Sequence, residues 1–169
     1  KTLTHKPITL VSNGIDLELY KPESVADPKR LNILYIGRLE KRKGLKYLLD
    51  AYKIVKQNLA GAKLIIAGDG PDRKKLENYV KLYAIQDVEF LGLVSEKKKL
   101  ELLSNARVFC SPAIYGESFG IVLLEAMAMG VPVVAGNNSG YTSVMKDRGR
   151  VGLVNPRDKV SFASTLEFM

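Results

Sequence analysis

The sequence has very few of the residues that most often carry nucleophilic, redox or metal-centred chemistry. Among 169 residues there are one cysteine, one histidine and no tryptophan. Cys110 cannot form an internal disulfide and lies in a predicted buried strand, which fits a reducing cytoplasm. His5 is near the start of the chain, so the sequence argues against a Ser/His/Asp or Cys/His centre and against a histidine-based metal site.

Long apolar runs are missing as well. The sequence contains no stretch of about 18 consecutive apolar residues, the length that a membrane-spanning helix needs. Its first residues, KTLTHKPITL, lack the apolar centre of a signal peptide. We therefore expect no membrane span, no targeting segment, a cytoplasmic location and a chain that begins inside a longer protein.

Aromatic residues are scarce, at 8%, although the chain is basic, with a formal net charge of +8. No helix-turn-helix, RRM or zinc pattern accompanies this charge, so we expect no nucleic-acid partner. The basic residues occur in short runs at 41–43, 73–75 and 97–99, which are typical of solvated helix surfaces. Attraction to an anionic membrane or to an anionic nucleotide is the alternative for some of them.

What is present is the composition of a globular α/β domain, with 46% apolar and 26% charged residues. Strands and helices alternate, which predicts a Rossmann-like three-layer α/β/α domain with about six parallel strands. The predicted strands are 31–36, 64–67, 88–91, 108–110, 131–135 and 152–156, and the predicted helices are 45–55, 72–82, one capped by Ser95, 119–129 and one from Asp158 or Ser161 to the end. An extended run at 8–11, a surface loop at 21–30 and a flexible loop at 136–141 complete the prediction.

One predicted helix carries an acid among apolar residues. In GESFGIVLLEAMAMG, which spans 116–130, every residue from Phe119 to Met129 except Glu125 is apolar or glycine. A helix that is apolar on all sides is a buried helix, so Glu125 should be largely buried. Burying an isolated charge is very costly, and Glu125 therefore needs a partner. That partner is either a Lys or Arg side chain or a bound ligand.

The start of the same helix is a candidate anion site. The backbone N–H groups near Phe119, Gly120 and Ile121 would be the unpaired donors of the first turn, and Gly120 would leave room for a ligand to approach. Glu117 precedes this turn. It is either a functional acid or a simple complement to the positive end of the helix dipole.

The loop after the first predicted strand is a second candidate site. Arg38 and Lys43 bracket it, and the carboxyl ends of parallel strands face the crevice where α/β proteins bind ligands. For Lys41 and Arg42 we expect only a solubilising role. The sequence GDGP at 68–71 is not the G-x-G-x-x-G pattern of dinucleotide-binding proteins, and we expect it to start the next helix with its proline at the first position.

Taken together, these segments resemble the retaining nucleotide-sugar glycosyltransferases of the glycogen-synthase-like family, which have the GT-B fold of two facing Rossmann-like domains. Glu117 and Glu125 match the two glutamates of its E-x7-E motif. GRLEKRKG at 37–44 is similar to the segment whose arginine and lysine bind the donor diphosphate. GDGP at 68–71 resembles a common turn of the family, and NGID at 13–16 resembles the start of its donor-binding domain.

This resemblance implies a role for each candidate residue. Glu117 would contact the donor sugar and Glu125 would hold the ribose hydroxyls. Arg38 and Lys43 would neutralise the diphosphate, which gains negative charge as the glycosidic bond breaks. Val94 would pack on the nucleotide base. The sequence has no D-x-D pair, in keeping with a family that needs no catalytic metal, so we expect no cofactor besides the donor substrate.

The resemblance also implies that residues 1–169 are the C-terminal donor-binding domain and that an N-terminal acceptor domain is missing. The full-length enzyme would transfer a hexosyl group from a UDP or GDP sugar with retention, and this fragment alone would transfer little or nothing. The E-x7-E stretch is similar to that of lipid-linked mannosyltransferases, which would suit peripheral contact with an anionic membrane or a lipid acceptor. The sequence SGYTS at 139–143 departs from the family pattern and leaves the acceptor open. A nucleotide-sugar epimerase and a noncatalytic nucleotide-binding module remain alternatives.

Overall fold

Six strands form one parallel sheet, and the connecting helices cover both of its faces. A computed structural model describes residues 13–22 and 30–169. The strands are β1 Asn32–Ile36, β2 Lys63–Ala67, β3 Val88–Gly92, β4 Val108–Ser111, β5 Val133–Gly136 and β6 Leu153–Val154. The helices are α1 Leu45–Asn58, α2 Arg73–Leu82, α3 Glu96–Ser104, α4 Ile121–Ala128, α5 Ser139–Val144 and α6 Lys159–Phe168. The predicted Rossmann-like three-layer fold is confirmed.

The strand order is β3-β2-β1-β4-β5-β6, and all the pairs are parallel. The chain first winds from β1 towards β3 and then returns to β4 on the other side of β1. In open α/β sheets, ligands bind outside the carboxyl ends of the two strands at which the winding reverses. The loops that follow β1 and β4 are therefore the expected place for a ligand.

The core lies on both faces of the sheet, as β1 illustrates. Ile33 and Tyr35 belong to the apolar cluster under α1 and α6, whereas Leu34 belongs to the cluster under α3 and α4. None of the three is more than 2% exposed. A strand that is buried on both faces reads as a continuous apolar run, which explains why β1 could be predicted from the sequence.

Several predicted boundaries are wrong by a few residues, among them those of α2 and β6. α2 begins at Arg73, so Pro71 lies in the preceding turn and not at the first helical position. β6 has two residues instead of the five predicted at 152–156, because the 3-10 helix Asp147–Gly152 includes the first of them and the strand ends before Asn155. Neither difference moves a strand out of the sheet.

The loop predicted to be flexible at 136–141 instead leads directly into α5. The side chain of Asn138 caps this helix by accepting a hydrogen bond of 3.0 Å from the backbone N–H of Tyr141. Tyr141 is fully buried. A flexible loop would not hold a tyrosine in the core.

Some predictions concern residues outside the described ranges, namely the extended run at 8–11, His5 and most of the loop at 21–30. Cys110 lies in β4 and is fully buried, as predicted, and its burial raises the pKa of the thiol well above the ordinary value. None of the helices within 13–22 and 30–169 is both long enough and apolar enough to cross a bilayer.

Candidate active site

Two loops meet at the carboxyl end of the sheet. The first follows β1 and spans 37–44, and the second follows β4 and spans 112–120. The Ile114 N–H donates a hydrogen bond of 2.8 Å to the Arg42 carbonyl oxygen. Gly44 lies so close to the second loop that a Cβ atom there would be 2.1 Å from the Pro112 carbonyl oxygen. The two loops thus pack against each other at the point where the winding reverses, and we call this region the crevice.

Glu117 lies in the second loop and pairs with cations of the first. Its Oε1 is 2.7 Å from Lys43 Nζ and 2.7 Å from Arg42 Nη1. The side chain of Glu117 is 10% exposed and that of Lys43 is 17% exposed. The structure therefore brings two predicted site residues, Lys43 and Glu117, into a largely buried ion pair.

The expectation that Arg42 only solubilises its loop is wrong. Besides its ion pair with Glu117, Arg42 Nη1 donates a hydrogen bond of 2.8 Å to the Gly116 carbonyl oxygen, and its Nε lies 2.7 Å from Glu40 Oε1. The 3-10 helix Lys41–Lys43 turns the chain so that Arg42 faces the second loop. A run of three basic residues does not reveal which of them turns inward.

The alternative that Glu117 merely complements a helix dipole is also wrong. α4 begins at Ile121 and has no acidic residue in its first turn. Glu117 precedes the N-cap residue Gly120 by three positions, and its carboxylate contacts cations of another loop. The acid belongs to the crevice and not to the helix.

The predicted anion site needs two corrections. Gly120 has a φ of 97°, which breaks the helix, so α4 starts two residues later than predicted and Phe119 lies outside its first turn. A Cβ atom on Gly120 would lie 2.6 Å from ring carbons of Tyr141. Glycine is required here by an internal contact, and the expected room for a ligand at this Cα is occupied. Ile121 is 42% exposed at the start of the helix.

α5 supports the second loop from behind. A Cβ atom on Gly140 would lie 2.0 Å from the Glu117 carbonyl oxygen, so the two segments are in direct contact. The Tyr141 hydroxyl is 2.7 Å from Ser111 Oγ at the end of β4, and burial raises the pKa of Tyr141 well above its usual range. The sequence does not indicate this support, because its glycine, asparagine and serine residues at 136–140 are typical of a flexible loop.

A cavity of about 460 Å³ lies beside the first loop, at the ends of β1, β2 and β3. Arg38 and Val94, two predicted site residues, both line it. The side chain of Arg38 is 68% exposed, and its Nε lies 3.6 Å from Glu40 Oε2. The remaining lining residues are Ile36, Gly37, Gly68, Asp69, Gly70 and Leu93.

Glu125 is buried in α4, as predicted, with 9% of its surface exposed. Its Oε1 accepts a hydrogen bond of 2.9 Å from Lys99 Nζ in α3 and another of 2.9 Å from the Tyr20 hydroxyl. Of the two partners that the sequence left open, the structure shows the cation. Neither Lys99 nor Tyr20 was identified from the sequence, because both are remote from Glu125 in the chain.

A second acid completes this group. Glu96 lies within hydrogen-bond reach of the same Tyr20 hydroxyl and forms an ion pair of 2.9 Å with Lys99. The Tyr20 hydroxyl and then Lys99 hold the pKa of the Glu96 carboxyl below its usual range. Burial acts to lower the pKa of Lys99, but its hydrogen bonds to Tyr20 and the two acids outweigh burial and raise it. We call these four residues, Tyr20, Glu96, Lys99 and Glu125, the α3–α4 cluster.

The part of the chain that the structure describes contains no group of side chains arranged as a metal site. Within residues 13–22 and 30–169, no three His, Cys, Asp or Glu side chains come together in an arrangement that could hold an ion. The charged groups at the crevice are instead acids paired with Lys and Arg.

Comparison with known proteins identifies relatives along most of the chain. The phosphatidyl-myo-inositol mannosyltransferase of Mycobacterium leprae is 37% identical over 161 residues, which cover 92% of this chain and 42% of the relative. The chain spans about two fifths of the length of the curated relatives that it matches.

Solved structures show the same fold. HepE of Anabaena, crystallised with UDP and glucose, superposes with a TM-score of 0.78 at 24% identity, covering 95% of this chain and 46% of that one. The sucrose-phosphate synthase of Thermosynechococcus elongatus gives a TM-score of 0.78 at 28% identity, covering 92% and 41%. The family model described as "Glycosyl transferases group 1" matches residues 16–169. With its two-loop crevice and parallel sheet, the chain belongs to the group 1 glycosyltransferase family.

Proposed function

We propose that the chain is the donor-binding domain of a retaining glycosyltransferase, which transfers a hexosyl group from a nucleoside diphosphate sugar to an acceptor. The observation that carries this proposal is the contact of 2.7 Å between Lys43 and Glu117 across the crevice of a group 1 glycosyltransferase domain. It places a cation suited to a phosphate next to an acid suited to a sugar hydroxyl.

The cations of the first loop would stabilise the leaving group. As the bond between sugar and diphosphate breaks, the diphosphate gains negative charge, and fixed cations aimed at that charge lower the barrier. Lys43 is already held in the crevice, and Arg38 is exposed enough to turn towards a ligand in the neighbouring cavity. Arg42 can stay on Glu117 when Lys43 engages the diphosphate, so the acid keeps one counter-ion.

The nucleoside would occupy the cavity at the ends of β1 to β3. Its volume of about 460 Å³ falls within the range of roughly 300–1,000 Å³ that is usual for small-molecule sites. Val94 would pack on the base. Glu125 would accept hydrogen bonds from the ribose hydroxyls, each worth about 1.5–3 kcal/mol to a charged acceptor. The backbone N–H groups of Phe119, Gly120 and Ile121, in the turn that leads into α4, would face the diphosphate.

The configuration at the anomeric carbon would be retained if the acceptor hydroxyl attacks that carbon from the same face as the departing phosphate. Two cations engage Glu117, which suits it to holding a sugar hydroxyl better than to attacking the anomeric carbon. The departing phosphate could then accept the proton of the incoming hydroxyl. Arg38 and Lys43 provide the positive charge next to the diphosphate, and we propose that no metal cofactor takes part.

The acceptor would bind to a second, N-terminal domain. The relatives are more than twice as long as this chain, which supports residues 1–169 as one half of a GT-B enzyme. The mycobacterial relative is named for transfer of mannose to an inositol phospholipid, and HepE was crystallised with UDP and glucose. The ligands of HepE support a UDP hexose as donor, and a GDP hexose is the alternative donor that we propose. We further propose a cytoplasmic enzyme in peripheral contact with an anionic membrane or a lipid acceptor, and the phospholipid in the mycobacterial relative's name supports the lipid acceptor.

The test is a thermal-shift panel of UDP, GDP and ADP, each alone and with an attached hexose, on the 169-residue chain. A nucleotide that binds only the native state raises the melting temperature, and we expect a uridine or guanosine diphosphate to do so. Lys43→Ala should weaken that binding at least about tenfold, because a charge-assisted contact with phosphate is lost.

Lys41→Ala is the matched control, since Lys41 lies in the same 3-10 helix and is exposed. Its nucleotide affinity should stay close to that of the unaltered chain. The proposal fails if no nucleotide raises the melting temperature. It also fails if well-folded Lys43→Ala and Glu125→Gln proteins bind nucleotide as tightly as the unaltered chain.

A further inference from the structure

We propose that Lys99 and Tyr20 are positioning residues, which hold one oxygen of Glu125 and thereby direct the other towards the ribose of the donor. This inference rests on the proposed function, because it takes Glu125 as the acid that binds the ribose. It assigns a task to two residues that lie outside both crevice loops.

Both side chains contact the same atom. The Tyr20 hydroxyl and Lys99 Nζ are each 2.9 Å from Glu125 Oε1. Within residues 13–22 and 30–169, every hydrogen bond that the structure gives this carboxylate goes to Oε1. The Glu125 side chain keeps 12% of its surface exposed. A carboxylate has two oxygens and about four lone-pair sites, so acceptor capacity remains on the other oxygen.

The donors in the α3–α4 cluster show why Lys99 is needed. The Tyr20 hydroxyl lies within hydrogen-bond reach of both Glu96 and Glu125, but it has a single proton and can donate to only one of them. Lys99 has three N–H donors and lies 2.9 Å from an oxygen of each acid. Without Lys99, two carboxylates would compete for one proton.

Lys99 is itself well fixed. Its side chain is 15% exposed, and its Nζ lies 5.0 Å from the ring centroid of Tyr20, a distance that allows a cation–π contact. An acceptor that is oriented before the ligand arrives loses less conformational freedom on binding than a mobile one. The cluster therefore prepares Glu125 for a diol in a way that a solvent-exposed glutamate could not.

The test compares two ligands by isothermal titration calorimetry on the 169-residue chain. They are UDP or GDP, whichever binds, and the counterpart that lacks both ribose hydroxyls. In the unaltered chain, loss of the hydroxyls should weaken binding at least about tenfold. In Lys99→Met this ratio should fall to less than about threefold, and in Tyr20→Phe it should fall by a smaller factor. Lys99→Arg should largely restore it.

Lys98→Met is the matched control, because Lys98 precedes Lys99 in α3 but pairs with Glu101, at 2.7 Å. It should leave the ratio unchanged. A residue that merely supports the fold would alter the affinity for both ligands equally. An unchanged ratio in Lys99→Met and Tyr20→Phe would therefore overturn this inference and leave the proposed function standing. If Lys99→Met does not fold, the ratio measured for Tyr20→Phe decides between the two outcomes. Failure of the unaltered chain to bind any nucleotide would overturn the proposed function together with it.

Discussion

Glu117 and Glu125 lie eight residues apart, yet their surroundings differ in a way that separates two kinds of buried acid. Glu117 sits in a loop and shares one oxygen between two cations of the neighbouring loop. Glu125 sits in a helix and shares one oxygen between a single cation and a hydroxyl. The first acid can therefore release one cation to a ligand and remain paired. The second cannot, so a ligand has to approach its other oxygen.

The largest expected effect concerns the loop contact on which the Glu117 environment depends. Gly44 has a φ of 74°, and a Cβ atom there would lie 2.1 Å from the Pro112 carbonyl oxygen. Gly44→Ala should lower the free energy of unfolding by about 3 kcal/mol or more, because the two loops would have to separate. Urea denaturation measures this change.

The control for Gly44→Ala is Gly149→Ala. Gly149 has no neighbour closer than 4.0 Å to the position of an added Cβ. This substitution should change the free energy of unfolding by less than about 0.5 kcal/mol. Equal effects at the two glycines would mean that the loops are not pressed together as the structure shows.

Removing one cation from each acid tests the comparison directly. Lys99→Met leaves Glu125 buried without a cation, and we expect a loss of roughly 2 kcal/mol in the free energy of unfolding. Arg42→Met also removes the contacts of Arg42 with Glu40 and the Gly116 carbonyl oxygen, but it leaves Glu117 paired with Lys43 and alters a partly exposed side chain. The loss should therefore be about 1 kcal/mol. Chemical denaturation of the two variants, with Lys98→Met as a surface control, shows which substitution causes the larger loss in the free energy of unfolding. If Arg42→Met were the more damaging variant, the two environments would not differ as described.

The sequence was sufficient to predict the sheet and the place of the crevice. β1 and β4 are short apolar strands buried on both faces, and parallel strands with helical crossovers bring the loops after them to one edge. This is why Lys43 and Glu117, in loops about 70 residues apart, could both be predicted as candidate site residues. Topology brings the two loops together, whereas the ion pair of 2.7 Å between the two side chains also depends on the local 3-10 turn that carries Lys43.

Side-chain partners from remote segments could not be predicted in the same way. Arg42 and Lys41 are adjacent and equally basic, and only the local 3-10 turn separates an inward from an outward side chain. Lys99 lies in a basic run of α3 that has the pattern of a solvated surface. Its role depends on how α3 packs beside α4, and on Tyr20 from a segment that precedes the sheet. Such contacts are set by tertiary packing, which periodicity does not report.

The smallest expected effect is on the pH dependence of stability. It concerns Glu96, the acid that has Tyr20 and Lys99 as partners in common with Glu125. The Tyr20 hydroxyl and Lys99 hold the pKa of Glu96 below its ordinary value of 4.5. A carboxyl whose pKa is lower in the folded state contributes stability that is present above pH 4.5 and is lost as the pH falls through the folded pKa. Glu96→Gln should therefore be less stable than the unaltered chain at pH 6, and the difference should shrink steadily below pH 4.5. Because Glu96 is half exposed, the difference should be small and should decrease in high salt. Thermal melts of both proteins across this pH range check the sign, and a gap that widened on acidification would show that Glu96 does not share the hydroxyl and the ammonium group with Glu125.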